Sequence, residues 1–259
     1  MKKIALLILM ITSLNGAPVG NTAAPKILQK GFFTSSESWV DIRLGYEGDF
    51  VADGRLEQCN ERVDCFKQIT NSGTLTLNIL DRIDVYGVLG ATKPTADWRV
   101  VLRTDGTVHR IQLETNNALL WAIGGRAILS EWGNASLGFG GRYSASSPSP
   151  AHLSLDGKGE SIADTHFEWS EWQFNFDMSC KIKLFTPYIG VKYSNTTAHL
   201  HGFSIPIAAN GTGINSLRNR DPVGLYLGCA LSNGNYFMLN LEWRLIDEES
   251  ATVSADFRF

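Results

Sequence analysis

From Ala251 to the terminal Phe259 the residues alternate in character without a break. Ala251, Val253, Ala255, Phe257 and Phe259 share one face, and Thr252, Ser254, Asp256 and Arg258 share the other. A strand alternates faces with period two, so this segment predicts a strand with one apolar and one polar side. Ending on an in-phase phenylalanine is the habit of bacterial outer-membrane barrels, with Phe257 and Phe259 as the signal read by the barrel-assembly machinery. The rest of the chain has to carry the same pattern.

The beginning fits an exported protein. Lys2 and Lys3 precede an apolar run, Ile4 to Ile11, and small and polar residues follow. That is the layout of a cleavable leader, and the run is about half of the ~20 residues a membrane-spanning helix needs. We expect a signal peptide over 1–16, with Ala23 as a later cleavage alternative, a periplasmic N-terminal segment over 17–37 and a barrel over 38–259. Losing Lys2 and Lys3 takes the formal charge from −3 to −5, which argues against nucleic acid as a partner. Mean hydropathy is close to zero, as in a soluble protein. A membrane barrel looks the same by this measure, because only every second residue must be apolar.

Period-two segments recur along the chain. They begin with Val40, Ile42, Leu44 and Tyr46, and continue through Leu75 to Ile79 and Ile83 to Leu89. The next row is Trp98, Val100 and Leu102, turning at Asp105-Gly106. Further rows run from Trp121 to Leu129, Ala135 to Tyr143, Trp172 to Met178, Ile189 to Tyr193, Val223 to Leu231 and Phe237 to Trp243. With the return after Asp105-Gly106 and the terminal strand the count is about twelve, with 14 or 16 as alternatives. A periplasmic C-terminus puts the long connections 48–72, 145–165 and 199–221 outside. The short turns, Asp105-Gly106 among them, then lie on the periplasmic side, as in outer-membrane barrels. The predicted fold is an all-β, transmembrane, antiparallel up-and-down barrel with an apolar exterior and a polar lumen. Trp98, Trp121, Trp132, Trp172 and Trp243 would form its interfacial girdle.

The polar rows name the pore lining: Arg43, Arg99, Arg103, Arg110, Arg126, Arg142, Glu171, Asp177, Lys192, Glu242, Arg244, Asp256 and Arg258. With Lys181, Asp41, Asp84 and Glu114 added, ten bases face seven acids, a mild lean towards anions. The competing reading is that these residues pair across the wall and satisfy one another.

Several blocks resemble the chlamydial major outer membrane porins. They are APVGN from Ala17, RLGYEGDFVAD from Arg43, LNILDRIDVYGVLGAT from Leu77, GGRAILSEWGNASLGFGGRYS from Gly124, LFTPYIGVKYS from Leu184 and the closing RLIDEESATVSADFRF. The resemblance implies a general-diffusion porin, often a homotrimer, that is also a disulfide-linked structural protein of the envelope. The chain is shorter than typical members. Ser35, Ser36 and Ser38 stand where those members carry a cysteine cluster.

Four cysteines remain. Cys59 and Cys65 share the first external loop, and either close a small ring or link to envelope partners. Cys180 and Cys229 sit on lipid-facing rows a whole strand apart, about 10 Å, beyond disulfide reach. His199 and His201 lack a third ligand, so no metal is expected. No Gly-x-Ser-x-Gly elbow or committed triad appears, so we expect no enzyme and no cofactor. The expected function is passive diffusion of small hydrophilic solutes and ions across the bacterial outer membrane, with outer-membrane lipid as the surrounding partner. The rival is a structural or adhesive barrel with a plugged lumen.

Overall fold

The computed structural model describes residues 18–29, 31, 39–58, 61–101, 107–162, 165–202 and 216–259. The expected leader, Arg103, Asp105-Gly106 and Cys59 lie outside them. In chain order the strands are β1 (Val40–Gly54), β2 (Leu56–Gln58), β3 (Glu61–Ile79), β4 (Ile83–Val101), β5 (Val108–Thr115) and β6 (Ala118–Trp132). Then come β7 (Ala135–Ser146), β8 (Pro150–Leu155), β9 (Lys158–Gly159), β10 (His166–Cys180) and β11 (Phe185–His201). The last are β12 (Ser216–Asn219), β13 (Val223–Leu231), β14 (Phe237–Leu245) and β15 (Glu248–Arg258). A single helical turn, α1 (Ala24–Ile27), precedes them.

Ten of these strands form a closed antiparallel wall, in the order β1, β15, β14, β13, β11, β10, β7, β6, β4, β3. The β3–β4 and β1–β3 ladders complete the ring. Closure leaves no free edge in hydrocarbon. The expected count of twelve is therefore corrected to ten. Ile83–Leu89 and the row beginning at Trp98 looked like two strands, but Ile83, Leu89 and Trp98 belong to one element: β4 runs unbroken for 19 residues. A strand needs only about 9–11 residues to cross the membrane. The outer half of β4 stands above it.

The five remaining strands build a crown on that outer end. β5 pairs with β4 beyond the point where β6 leaves it, and β8 and β9 extend the sheet. On the other side β2 and β12 bridge β3 and β11. The crown interior is apolar. Val63, Phe66, Trp98, Ile111, Leu153, Phe167, Trp169 and Leu200 belong to one buried cluster that fills the mouth.

Below the crown the pattern is inverted. Along β4 the outward residues Ile83, Val85 and Leu89 are exposed, Leu89 by 64%, while Asp84 opposite them is fully buried. The same inversion holds on β10, where Phe174, Phe176 and Met178 face out and Gln173, Asn175 and Asp177 face in. An apolar belt around a polar interior places this barrel in a lipid bilayer. Trp39 and Trp132 mark its periplasmic rim, and the Trp121–Tyr143 and Trp172–Tyr193 pairs lie towards the crown. Trp98 does not join this girdle, because it is buried inside the crown.

Candidate functional site

The interior of the wall is the candidate site. Arg43, Arg142, Glu171, Asp177, Lys192, Glu242, Arg244, Asp256 and Arg258 all point into it and are buried, and Arg126 points in with little exposure. Arg99 and Arg110 do not. They lie on the water-facing side of the crown, paired with Asp64 and Asp97, and Glu114 is likewise exposed. Their rows were read as lumenal because apolar Trp98 and Ile111 opposite them looked lipid-facing. In the crown those apolar residues face inward instead. Arg110 hydrogen-bonds Asp97 and holds its carboxyl below the usual range.

The sequence reading missed Glu47, Asp49, Asp247 and Glu248, which also point in and are buried. The signal was phase: Glu47 and Asp49 continue the row of Asp41 and Arg43, and Glu248 is in step with Asp256 and Arg258. With Asp41 and Asp84, ten acids now face six bases among the described residues. The lean towards anions is thereby reversed.

These charges pair with one another. Arg244 reaches Asp49 at 2.7 Å, Glu248 at 2.9 Å and Glu242 at 3.3 Å. Lys192 pairs with Asp247 at 2.9 Å and also with Glu248. Arg142 meets Glu47 at 3.1 Å, and Arg126 meets Asp84 at 2.8 Å. At the periplasmic end Arg258 and Arg43 both grip Asp41, at 2.8 and 3.2 Å. In a low-dielectric interior an unpaired charge is costly, so such a network forms a rigid frame.

Small residues make room for large ones. A Cβ on Gly228 would lie 2.3 Å from the Tyr188 ring, and one on Gly190 would lie 2.6 Å from Tyr226. Tyr86, under Arg126 at 5.6 Å, folds over Gly124 in the same way.

The lumen also holds part of the chain itself. Residues 18–29, expected as periplasmic, run inside the wall, because the lumenal carboxylates and guanidiniums satisfy their backbone. At the periplasmic turn the Gln29 N–H donates to Gly234 O, at 2.9 Å. Lys26 meets Glu131 at the same rim, at 2.6 Å. Deeper in, Gln173 donates to Pro18 O at 2.8 Å. Beside Val19, Gly20, Arg126 and Glu242 a cavity of only about 40 Å³ remains, room for a water or two.

Cys180 and Cys229 face outward on β10 and β13, with β11 between them, and both are free thiols, as is Cys65. Phe257 faces out and packs on Phe237 at 5.0 Å between ring centres. The Phe259 N–H donates to Ile42 O across the β1–β15 seam.

Proteins of known kind match this chain from end to end. The major outer membrane porin of Chlamydia trachomatis serovar F is 26% identical, over 96% of this chain and 96% of its own. The chain is related to the chlamydial major outer membrane porins. The Chlamydia muridarum porin gives 25% identity with the same coverage. The serovar F alignment runs to 380 positions against 259 residues here, so this relative is far shorter than that porin. No family model matches. Among solved structures, an outer membrane channel of Pseudomonas putida F1 is similar at 10% identity and a TM-score of 0.44, over 86% of this chain and 96% of that one. The outer membrane protease OmpT of Escherichia coli gives 11% and 0.41, over 85% and 93%. Both likenesses are too distant to carry an argument.

Proposed function

We propose that this porin relative is an outer-membrane channel for small hydrophilic solutes and ions, without enzymatic activity. The observation that carries the reading is the inverted wall: an apolar belt around a lumen lined by ten acids and six bases among the described residues. Hydrocarbon requires the belt, but nothing in membrane anchoring requires so charged an interior. The end-to-end likeness to proteins named porins supports the same reading. The acid excess favours cations.

Around the belt the partner is outer-membrane lipid. Phe257 and Phe259 serve the assembly machinery, and a homotrimer follows the porin relatives. The test is a planar bilayer holding the refolded mature chain under a potassium chloride gradient. Ohmic steps with a cation-signed reversal potential are expected.

A second reading has its own observation. The apolar cluster in the crown and the segment over 18–29 together fill the bore, as a structural or adhesive envelope barrel would allow. Cys65, with Cys59 outside the described residues, would then supply disulfide links to envelope partners. A heat-modifiable, correctly folded barrel that passes no current under any condition would move the weight to this reading.

A further inference from the structure

The segment over 18–29 is held as a ligand is held. Glu242 takes two successive backbone donors, the N–H of Val19 at 2.9 Å and of Gly20 at 2.8 Å, one on each carboxylate oxygen. Tyr188 donates to the same carboxylate at 3.0 Å and fixes it in place. Asp177 takes the Thr22 N–H at 3.2 Å and the Thr22 hydroxyl at 2.5 Å, and is itself steadied by the Tyr226 hydroxyl at 2.8 Å. The carbonyls are matched in turn. Arg43 donates to Ala24 O and Pro25 O, both at 2.8 Å, Asn78 donates to Pro25 O at 3.2 Å, and Arg258 donates to Leu28 O.

Shape agrees with this polarity. Gly20 has φ +78°, a conformation most side chains avoid. Gly138 on β7 leaves the space Thr22 fills, since a Cβ there would lie 2.1 Å from the Thr22 hydroxyl. The apolar contacts fall in two small clusters: Ala24, Ile27 and Leu28 with Ala230 and Met238, and Val19 with Tyr188 and Tyr226. Charge-assisted hydrogen bonds to a backbone make a specific grip, and so small an apolar contact leaves it reversible.

We propose that the periplasmic half of the lumen is a binding site for an extended peptide, filled in cis by residues 18–29, and that this strap is the channel's removable stopper. The site is independent of whether the barrel conducts; the stopper role rests on the channel reading above. The proposal also requires the leader to be cut after Gly16, because a cut after Ala23 would discard the residues that Glu242 and Asp177 hold.

The test uses the full chain, in which the Lys26 amine of the strap lies 2.6 Å from the Glu131 carboxylate of the wall, with Glu131→Gln as control. A water-soluble carbodiimide should join the two as an amide, the carboxylate oxygen leaving on the reagent as a urea, as read by mass spectrometry of the digested protein. Current should vanish on this treatment and persist in the treated Glu131→Gln control. A second variant, Asp177→Asn with Glu242→Gln, keeps the shapes and removes the charges, and should raise the open fraction at least about tenfold. Failure of the folded protein to cross-link overturns the site. Cross-linking with unchanged current overturns the stopper and leaves the channel standing. No current from any form, including the Asn/Gln variant, removes the channel reading and the stopper together, while the cross-link alone decides the site.

Discussion

β4, β10 and β11 run from the lower barrel into the crown without a change of side-chain phase, yet the two zones are opposite in chemistry. On β10, Asp177, Asn175, Gln173 and Glu171 point inward, and two steps further out Trp169 and Phe167 point inward as well. On β11, Lys192, Ser194 and Thr196 give way to Ala198 and Leu200. Outside, Leu89 of β4 meets lipid while Arg99 of the same row is paired with Asp64 in water. The backbone does not turn over between the two zones; only the medium changes. Where hydrocarbon lies outside, the apolar face turns to it, and where water lies outside, the apolar face becomes an interior.

The contrast can be broken from either end. Arg244→Met in the lower barrel strands Asp49, Glu242 and Glu248 in the interior, and should cost about 3–5 kcal/mol. The expected readout is a fall in the unfolding midpoint of the whole barrel, followed by heat-modifiable electrophoresis. Trp98→Ala in the crown should cost a similar amount, about 3–5 kcal/mol, but locally. Protease should then clip the crown of a barrel that still migrates as folded; loss of the whole fold would show that the two zones are one cooperative unit.

A sharper comparison uses one outward row. Leu89→Arg sits in the belt and should cost about 2–4 kcal/mol near mid-membrane. Thr95→Arg, six residues along the same face, should change stability by less than about 0.5 kcal/mol. Equal penalties would mean that the belt reaches into the crown. The smallest effect is that of pH. Arg110 depresses the Asp97 carboxyl in the folded crown, so this pair adds stability above the unfolded carboxylate value near 4. That contribution is lost as pH falls through the lower folded value. The pair is partly exposed, so less than about 1 kcal/mol is at stake. Crown proteolysis should rise below about pH 4 in the native protein and be insensitive to this acid window in Asp97→Asn.

Much of the barrel was legible in the sequence, because lipid demands strict alternation and the chain supplies it from Val40 to Phe259. Most of the expected lining faces inward for the same reason. What escaped was any feature that alternation does not encode. Trp98 and Arg99 alternate as a belt strand does, but nothing in period two says whether water or lipid lies beyond. β4 therefore read as two strands. Asp49 and Glu248 kept the phase of their rows beyond the stretches read as membrane strands. The strap has no period, since its order comes from lumenal partners contributed by β1, β3, β10, β14 and β15.

The tyrosines lying over glycines have a consequence for how this bore can change. Tyr188, Tyr226 and Tyr86 each occupy space that a glycine opposite vacates, so the calibre is set by side chains rather than by strand number. Trimming one ring at a time would widen the passage in steps without re-registering a single ladder, whereas adding even a methyl group to the opposing glycines would press on the rings from behind. A lineage under selection for larger cargo thus has a gradual route open to it inside an unchanged wall.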